Sequence, residues 1–86
     1  SIDARLLIEE VNDYFGTDIQ DPDNDTIGGW VFSQLKEVPR IGDEVEHDGW
    51  VFTVREIDHR SVTRLLVKPK NKNGRGKPPI QEKTQQ

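Results

Sequence analysis

The 86-residue sequence contains no cysteine, which excludes disulfides, thiolate metal ligands and thiol catalysis. It also contains no methionine, so we expect it to be a segment of a longer protein. Only 31% of the residues are hydrophobic, whereas 33% are charged. No run approaches the roughly 18–20 apolar residues of a membrane span, and no signal-peptide pattern opens the chain. The composition therefore favours one small domain with a modest core.

The net charge of −4 hides two unlike parts. Residues 1–67 contain six Lys and Arg against fifteen Asp and Glu, a balance of −9. Residues 68–86 contain six Lys and Arg and one Glu, a balance of +5, and their single hydrophobic residue is Ile80. We predict a folded domain over 1–67 and a disordered basic tail over 68–86. The tail is interpreted as a solubilising chain end or, alternatively, as a contact for an anionic membrane surface; the acidic domain disfavours nucleic acid.

Apolar residues at helical spacing predict two helices. The first is expected over 3–15, with Asp3 as its N-cap and Gly16 as a left-handed C-cap. Residues 17–19 are then expected to be extended and to form an edge strand. The second helix is expected over 26–36, after a polar loop.

The rest of the domain is predicted to be β, in three strands at 44–47, 50–57 and 61–67. Asp48-Gly49 is a strong signal for a two-residue hairpin turn, which pairs Val45 with Phe52. The second turn is less defined: a two-residue turn, at 58–59 or 59–60, places Leu65 and Val67 on the face of Phe52, whereas a loop of odd length places them on the other face.

The predicted fold is therefore α+β, with two helices packed on a small antiparallel sheet that ends in β-hairpins. The residues expected in the core are those that share the inward faces: Leu7, Ile8, Val11, Phe15, Ile27, Val31, Phe32, Leu35, Val45, Phe52, Val54, Leu65 and Val67.

Three aspartates at alternate positions, Asp21, Asp23 and Asp25, resemble the first half of a calcium-binding loop. The resemblance then fails, because Thr26 replaces the glycine at the sixth position and Phe32 the glutamate at the twelfth. The pattern is more typical of a solvated acidic loop, and a weak divalent-cation site is the alternative.

A second candidate site is the start of the second helix, at Thr26, Gly28 and Gly29. Free amides beside residues without side chains can hold a phosphate group. The alternative is that the glycines allow tight packing of the helix against a neighbour.

Chemistry of other kinds has little support in the sequence. His47 and His59 have no nucleophile or orienting group placed by spacing, so we predict no enzymatic activity. Trp30 and Trp50 are expected in the core, and the alternative is that one of them anchors a partner surface.

Four segments, taken in order, add a more specific signal: Leu7-Ile-Glu-Glu-Val-Asn, Asp25-Thr-Ile-Gly-Gly-Trp-Val, Val38-Pro-Arg-Ile-Gly-Asp and Gly49-Trp-Val-Phe-Thr-Val-Arg-Glu-Ile-Asp. Together they resemble the transporter-associated CorC/HlyC domain, the C-terminal module of hemolysin-like and magnesium and cobalt efflux proteins. The resemblance covers about residues 4–67 and stops where the basic tail begins.

The resemblance implies a setting that the residues alone do not show. In that family the domain follows a pair of CBS domains, which bind adenine nucleotides, behind a transmembrane domain of a bacterial protein. It lies on the cytoplasmic face and modulates divalent-cation transport, with the CBS domains, the transmembrane domain or a second copy as partners. Its fold is similar to a subdomain of flavin-binding enzymes, so a flavin or adenine nucleotide is a candidate ligand for Thr26, Gly28 and Gly29.

Overall fold

The computed structural model describes residues 1–70. An antiparallel sheet with strand order β1-β4-β3-β2 is covered on one face by two helices, which confirms the predicted α+β class. In chain order the elements are β1 Ile2–Asp3, α1 Ile8–Phe15, α2 Ile27–Leu35, β2 Glu44–His47, β3 Trp50–Asp58 and β4 Ser61–Pro69. Within this range no helix has the length and apolar character needed to cross a membrane.

The hairpin between β2 and β3 has the predicted register. Asp48 and Gly49 form the turn with φ of 51° and 81°, the left-handed conformation that their residue types tolerate. Val45 lies opposite Phe52, and both are buried beneath the helices. The local turn chemistry was therefore sufficient to predict this pairing.

The hairpin between β3 and β4 turns at residues 59–60 and contains two compensating bulges. Leu65 lies opposite Val54, as the two-residue turn predicts. Between this pair and the turn, β3 and then β4 each carry one extra residue, so the register shifts and shifts back. Val62 consequently joins Leu65 on the buried face, which strict alternation does not predict.

The first helix is shorter than predicted, and Asp3 is not its N-cap. Residues 2–3 form β1, which pairs with β4 through Ile2 opposite Leu65. Asp3 instead closes a local turn: Arg5 donates to its carboxylate from the side chain at 2.9 Å and from the backbone at 2.8 Å. Hydrogen bonds from this side chain, and then from this amide, lower the pKa of Asp3 to about 2.

The N-cap of α1 is Leu7, whose backbone N–H donates to the Glu10 side chain at 2.9 Å. A residue at this position precedes the buried stripe of the helix. Leu7 is accordingly 44% exposed, so its predicted place in the core is wrong. Gly16 ends the helix with φ of 71°, which confirms the predicted C-cap.

Residues 17–19 do not form the predicted edge strand. They follow the C-cap as irregular backbone, fixed by the side chain of Asn12, which bonds both backbone groups of Ile19. Ile19 is buried at 2% exposure. Side-chain hydrogen bonds thus satisfy the backbone groups that a sheet would otherwise pair.

Most of the predicted core is confirmed, with Phe15, Leu35 and Val67 partly buried at its margin. Phe32 is wrong: it is 44% exposed because it lies on the outer side of α2. Trp30 is buried as expected, and three further hydrophobic residues that were not predicted in the core are buried: Ala4, Ile19 and Val62.

The last strand runs two residues beyond its predicted end, so Lys68 and Pro69 belong to the sheet and not to a tail. Lys70 continues this order, since its backbone N–H donates to the Gly49 carbonyl at 2.7 Å. Its side-chain Nζ lies 3.0 Å from a carboxylate oxygen of Glu46. The predicted disorder and membrane contact of the tail fall, from Asn71 onward, outside the described residues.

Candidate functional site

The start of α2 is the first candidate site, and its amides already have partners. Thr26 is the N-cap, as predicted, and its hydroxyl accepts from the Gly29 N–H at 3.2 Å. The N–H groups of Ile27 and Gly28 donate at 2.9 Å to carbonyl oxygens in the β1–α1 connection. A phosphate group at this helix start would have to displace these bonds.

Close packing explains the glycine at position 28. A Cβ there would lie 2.8 Å from the Cβ of Ala4 and 3.2 Å from the carbonyl oxygen of Val62. The helix start therefore approaches both β4 and the residue that follows β1 at backbone distance, which is the packing alternative of the sequence analysis. A Cβ on Gly29 would meet the side-chain oxygen of Asn24 at 2.8 Å, a contact with a movable group.

An open cleft of about 380 Å³ flanks this helix start. Phe32, which is exposed, and Arg5 are among the residues that line it, and the Arg5 guanidinium donates to the Asp3 carboxylate at 2.9 Å. Binding of a flavin or adenine nucleotide at Thr26, Gly28 and Gly29 stays a prediction.

The acidic loop before α2 is held together by its own side chains. One oxygen of Asp21 accepts from the Asp23 N–H at 2.9 Å, and the other accepts from the Asn24 side chain at 2.7 Å. These hydrogen bonds, that from the Asn24 side chain above all, lower the pKa of Asp21. Asn24 also donates to the Ser33 hydroxyl at 3.0 Å, which ties the loop to α2.

The three aspartates of this loop do not converge. Among residues 1–70, no three His, Asp or Glu side chains are grouped so that they could hold a metal ion. Asp21 and Asp25 instead line, together with Glu9 of α1, an open cleft of about 450 Å³. The sequence did not associate Glu9 with Asp21, Asp23 and Asp25, because the packing of α1 against the loop brings it there and no local spacing signals it.

The two tryptophans occupy different environments. Trp30 is 3% exposed and packs edge-on against Phe52 and His47, each with a centroid distance of 5.4 Å. It is a core residue, as first expected, and it does not fit the alternative of an exposed anchor. Trp50 is only partly buried, and its ring lies 4.9 Å from that of Phe15.

A row of aromatic rings reaches from Trp50 to the surface. Phe15 contacts Tyr14 edge-on at 4.8 Å, and Tyr14 is 82% exposed. We call Trp50, Phe15 and Tyr14 the aromatic row. Tyr14 lies in the last turn of α1, which ends at Phe15.

The two histidines lie at the two hairpin turns. His47 approaches Asp48 at 3.3 Å and packs against Trp30. His59 is exposed and approaches Asp58 at 2.9 Å. Each is thus paired with a carboxylate of its own turn.

Comparison with known proteins gives consistent matches. The family described as transporter associated domain, CorC_HlyC, matches residues 1–71. The magnesium and cobalt efflux protein CorC of Salmonella typhimurium is 37% identical over 68 residues, which are 79% of this chain and 23% of that protein. This chain spans 15–29% of the length of several curated relatives.

Solved structures share the fold. The CorC-associated region from Neisseria meningitidis MC58 is 37% identical, with a TM-score of 0.74 over 79% of this chain and 84% of that one. The CorC_HlyC domain of a Xylella fastidiosa hemolysin, solved in complex with Mg²⁺ and Mn²⁺, is 26% identical, with a TM-score of 0.73 over 81% and 85%.

Proposed function

Because the chain belongs to the CorC/HlyC family of transporter-associated domains, we propose that it is a non-enzymatic regulatory and interaction module of a membrane protein that contains CBS domains and transports divalent cations. The efflux protein CorC among its relatives supports magnesium or cobalt as the cation. In this proposal the domain lies on the cytoplasmic face of a bacterial membrane. Its partners are the neighbouring CBS domains, the transmembrane domain or a second copy.

The structural observation that carries this proposal is the exposed end of the aromatic row. Tyr14 leaves 82% of its surface exposed at the end of a row that begins at the half-buried Trp50. Val38 and Ile41, in the segment before β2, are 62% and 68% exposed. Exposed aromatic and aliphatic side chains of this kind are better suited to binding another protein than to catalysis.

Such a module acts by binding one conformation of its parent protein better than another. A contact that differs between two transporter states shifts their populations by the difference in binding free energy. This role requires no catalytic group. It requires only a surface that contacts a part of the parent protein whose position differs between the two transporter states. Regulation of transport then follows from how strongly that surface is engaged in each state.

The two tryptophans allow a direct test of partner binding. Trp30→Phe leaves Trp50 as the single tryptophan, and Trp50→Phe leaves the buried Trp30. When the CBS portion of the parent protein is added, we expect the emission of Trp50 to shift to shorter wavelength, because a partner excludes water from its exposed edge. The emission of Trp30 should stay unchanged, since it is already 3% exposed.

Calorimetry on the unmodified chain provides the independent control for this test. Heat of binding to the CBS portion, or of self-association, is expected together with the shift of Trp50. If neither heat nor cross-linking detects binding or self-association, the interaction module is rejected. Binding without any change in the emission of Trp50 would still support an interaction module, but it would show that Trp50 is not part of the surface that contacts the partner.

A second candidate function, divalent-cation sensing, is favoured by one comparison: the Xylella fastidiosa domain was solved with Mg²⁺ and Mn²⁺. In this chain we propose weak binding of a hydrated ion in the cleft that Glu9, Asp21 and Asp25 line, because these carboxylates are not grouped closely enough to coordinate one ion together. Oxygen ligands suit Mg²⁺ and Mn²⁺, and an open site with few carboxylates predicts low affinity, with Kd of about 10⁻⁴–10⁻³ M.

Titration with MgCl₂ and MnCl₂, followed by NMR, tests this candidate. We expect the backbone amides of 21–25 to shift on Mg²⁺ addition and to broaden on Mn²⁺ addition. Glu9→Gln should weaken the effect several-fold, because it removes one charge from the cleft. Asp13→Asn, which removes a charge from the same helix outside the cleft, should leave it unchanged. Loop amides that stay unmoved at 10-fold the expected Kd, about 10 mM, would reject the site.

A further inference from the structure

The edge of β4 beside β1 is only partly paired. β4 runs for nine residues, Ser61–Pro69, but β1 contributes two residues to the ladder. Within residues 1–70 that ladder reaches no farther along β4 than Ile2 opposite Leu65. The half of the strand that follows Leu65 therefore presents an edge to which another strand can bind.

Backbone N–H and C=O groups alternate between the two sides of a strand, and this alternation shows which residues of β4 direct theirs to the unpaired edge. Ala4 donates to the carbonyl of Thr63 at 3.0 Å, so Thr63 and, two residues on, Leu65 direct their backbone groups toward β1. By the same alternation Val67 directs its N–H and C=O to that edge. The register of β1 places the residue immediately before Ser1 opposite Val67.

An apolar groove of about 270 Å³ lies at the same place on the helix face. Ile2 of β1 and Phe15 of α1 are both among the residues that line it. Phe15 contacts Trp50 edge-on, and Trp50 is opposite Pro69, whereas Ile2 is opposite Leu65. The groove between them is therefore level with Val67.

Cross-strand partners share a face of the sheet, and Val67 faces the helices. A residue paired with Val67 would consequently direct its side chain into this groove. The lining is almost wholly apolar, from Ile2, Leu6, Val11 and the two aromatic rings of α1, with Glu10 at the rim. The groove thus selects an apolar side chain at that one position. The preceding residue, opposite Lys68, would point to the other face, where an acidic side chain is favoured.

We propose that the polypeptide adjoining Ser1 in the longer protein continues β1 along β4, pairs with Val67, and inserts an apolar side chain into the groove between Ile2 and Phe15. The occupant is this continuous segment because the register leads directly from Ser1 to Val67. Further polypeptide adjoins the domain in proteins of this kind, since the chain spans 15–29% of several relatives. Main-chain pairing supplies the affinity, and the groove supplies the specificity.

This inference deepens the proposed function, on which its regulatory meaning rests. A strand fixed along β4 joins the domain rigidly to the part of the protein that precedes it. Movement there would be transmitted to the core through Val67 and Phe15 instead of being absorbed by a flexible linker. The strand itself can be tested without any transporter, so its failure and that of the proposed function are distinguishable.

Two chains that differ only in the order of two added residues provide the test. Gly-Glu-Val before Ser1 puts valine opposite Val67 and glutamate opposite Lys68, and Gly-Val-Glu exchanges them. Amide hydrogen exchange of Val67, read by NMR, is the measurement. We expect exchange about tenfold slower with Gly-Glu-Val than with the unextended chain, and little change with Gly-Val-Glu, whose valine points away from the groove.

Equal exchange at Val67 in both extended chains would overturn the proposal. Protection of Val67 in the unextended chain that grows with protein concentration would also overturn it, because a second copy would then occupy the edge. Slow exchange with Gly-Glu-Val alone, independent of concentration, supports the continuous strand.

Discussion

The Gly28→Val substitution is expected to destabilise the domain strongly. Its first added carbon would lie 2.8 Å from the Cβ of Ala4 and 2.9 Å from the Ala4 carbonyl oxygen. These atoms belong to backbone or to a side chain without rotamers, so they can yield only if α2 moves away from β1 and β4. We expect the free energy of unfolding to fall by about 3 kcal/mol, a large part of the stability of a domain this small.

Gly29→Val is the matched control, since it adds the same side chain at the next position of the same helix. Its Cβ would meet Asn24 Oδ1 at 2.8 Å, but that oxygen ends a flexible side chain. We expect the free energy of unfolding to fall by about 1 kcal/mol, because a displaced Asn24 side chain would lose its hydrogen bonds with Asp21 and Ser33. Urea denaturation at 25 °C measures both variants. Equal losses would show that the close approach at Gly28 is not what requires a glycine there.

The sequence predicted those parts of the fold that local signals determine. Asp48-Gly49 set the register of β2 and β3, and Thr26 marked the start of α2. Each of these signals acts within a few residues, so one sequence was enough to recognise it. The predicted core followed from the same elements, because their inward faces repeat at fixed spacing.

The parts that the sequence did not predict depend on contacts between distant segments. A strand of two residues, Ile2–Asp3, has no periodicity to recognise, and its partner lies about 60 residues farther along the chain. The paired bulges of the β3–β4 hairpin cancel, so they change the face of Val62 without changing the turn. Tertiary pairing, and not propensity, decides both features.

The candidate sites follow the same division. The aspartates of the acidic loop were visible as a pattern, but the cleft includes Glu9 of α1 because of how that helix packs. Gly28 was recognised as a site for either an anion or close packing. Only the position of Ala4, which follows β1 and is buried against Gly28, shows that close packing requires a glycine there. In a domain this small, the residues that line a candidate site are therefore determined by how the connecting segments pack against the helices.

Asn12 illustrates such a connection, and Asn12→Leu is expected to lower the free energy of unfolding by about 3 kcal/mol. Its side-chain oxygen accepts from the Ile19 N–H at 2.9 Å and the Thr17 hydroxyl at 2.8 Å, and its amide donates to the Ile19 carbonyl at 3.0 Å. Leucine would leave all three groups without these partners, and Thr17 and Ile19 are buried. Helical spacing alone places Asn12 on the polar side of α1, where substitution would be harmless.

Two further variants separate hydrogen bonding from helix effects. Asn12→Asp keeps both acceptor contacts but brings an oxygen against the Ile19 carbonyl in place of a donor, so it should cost about 1–2 kcal/mol. Asp13→Leu, next along the same helix and exposed, should change stability by no more than about 0.5 kcal/mol. Urea denaturation gives the energies, and hydrogen exchange of the Ile19 amide should accelerate in Asn12→Leu alone. Similar results for Asn12→Leu and Asp13→Leu would mean that residues 17–19 are held by the burial of Ile19 and not by Asn12.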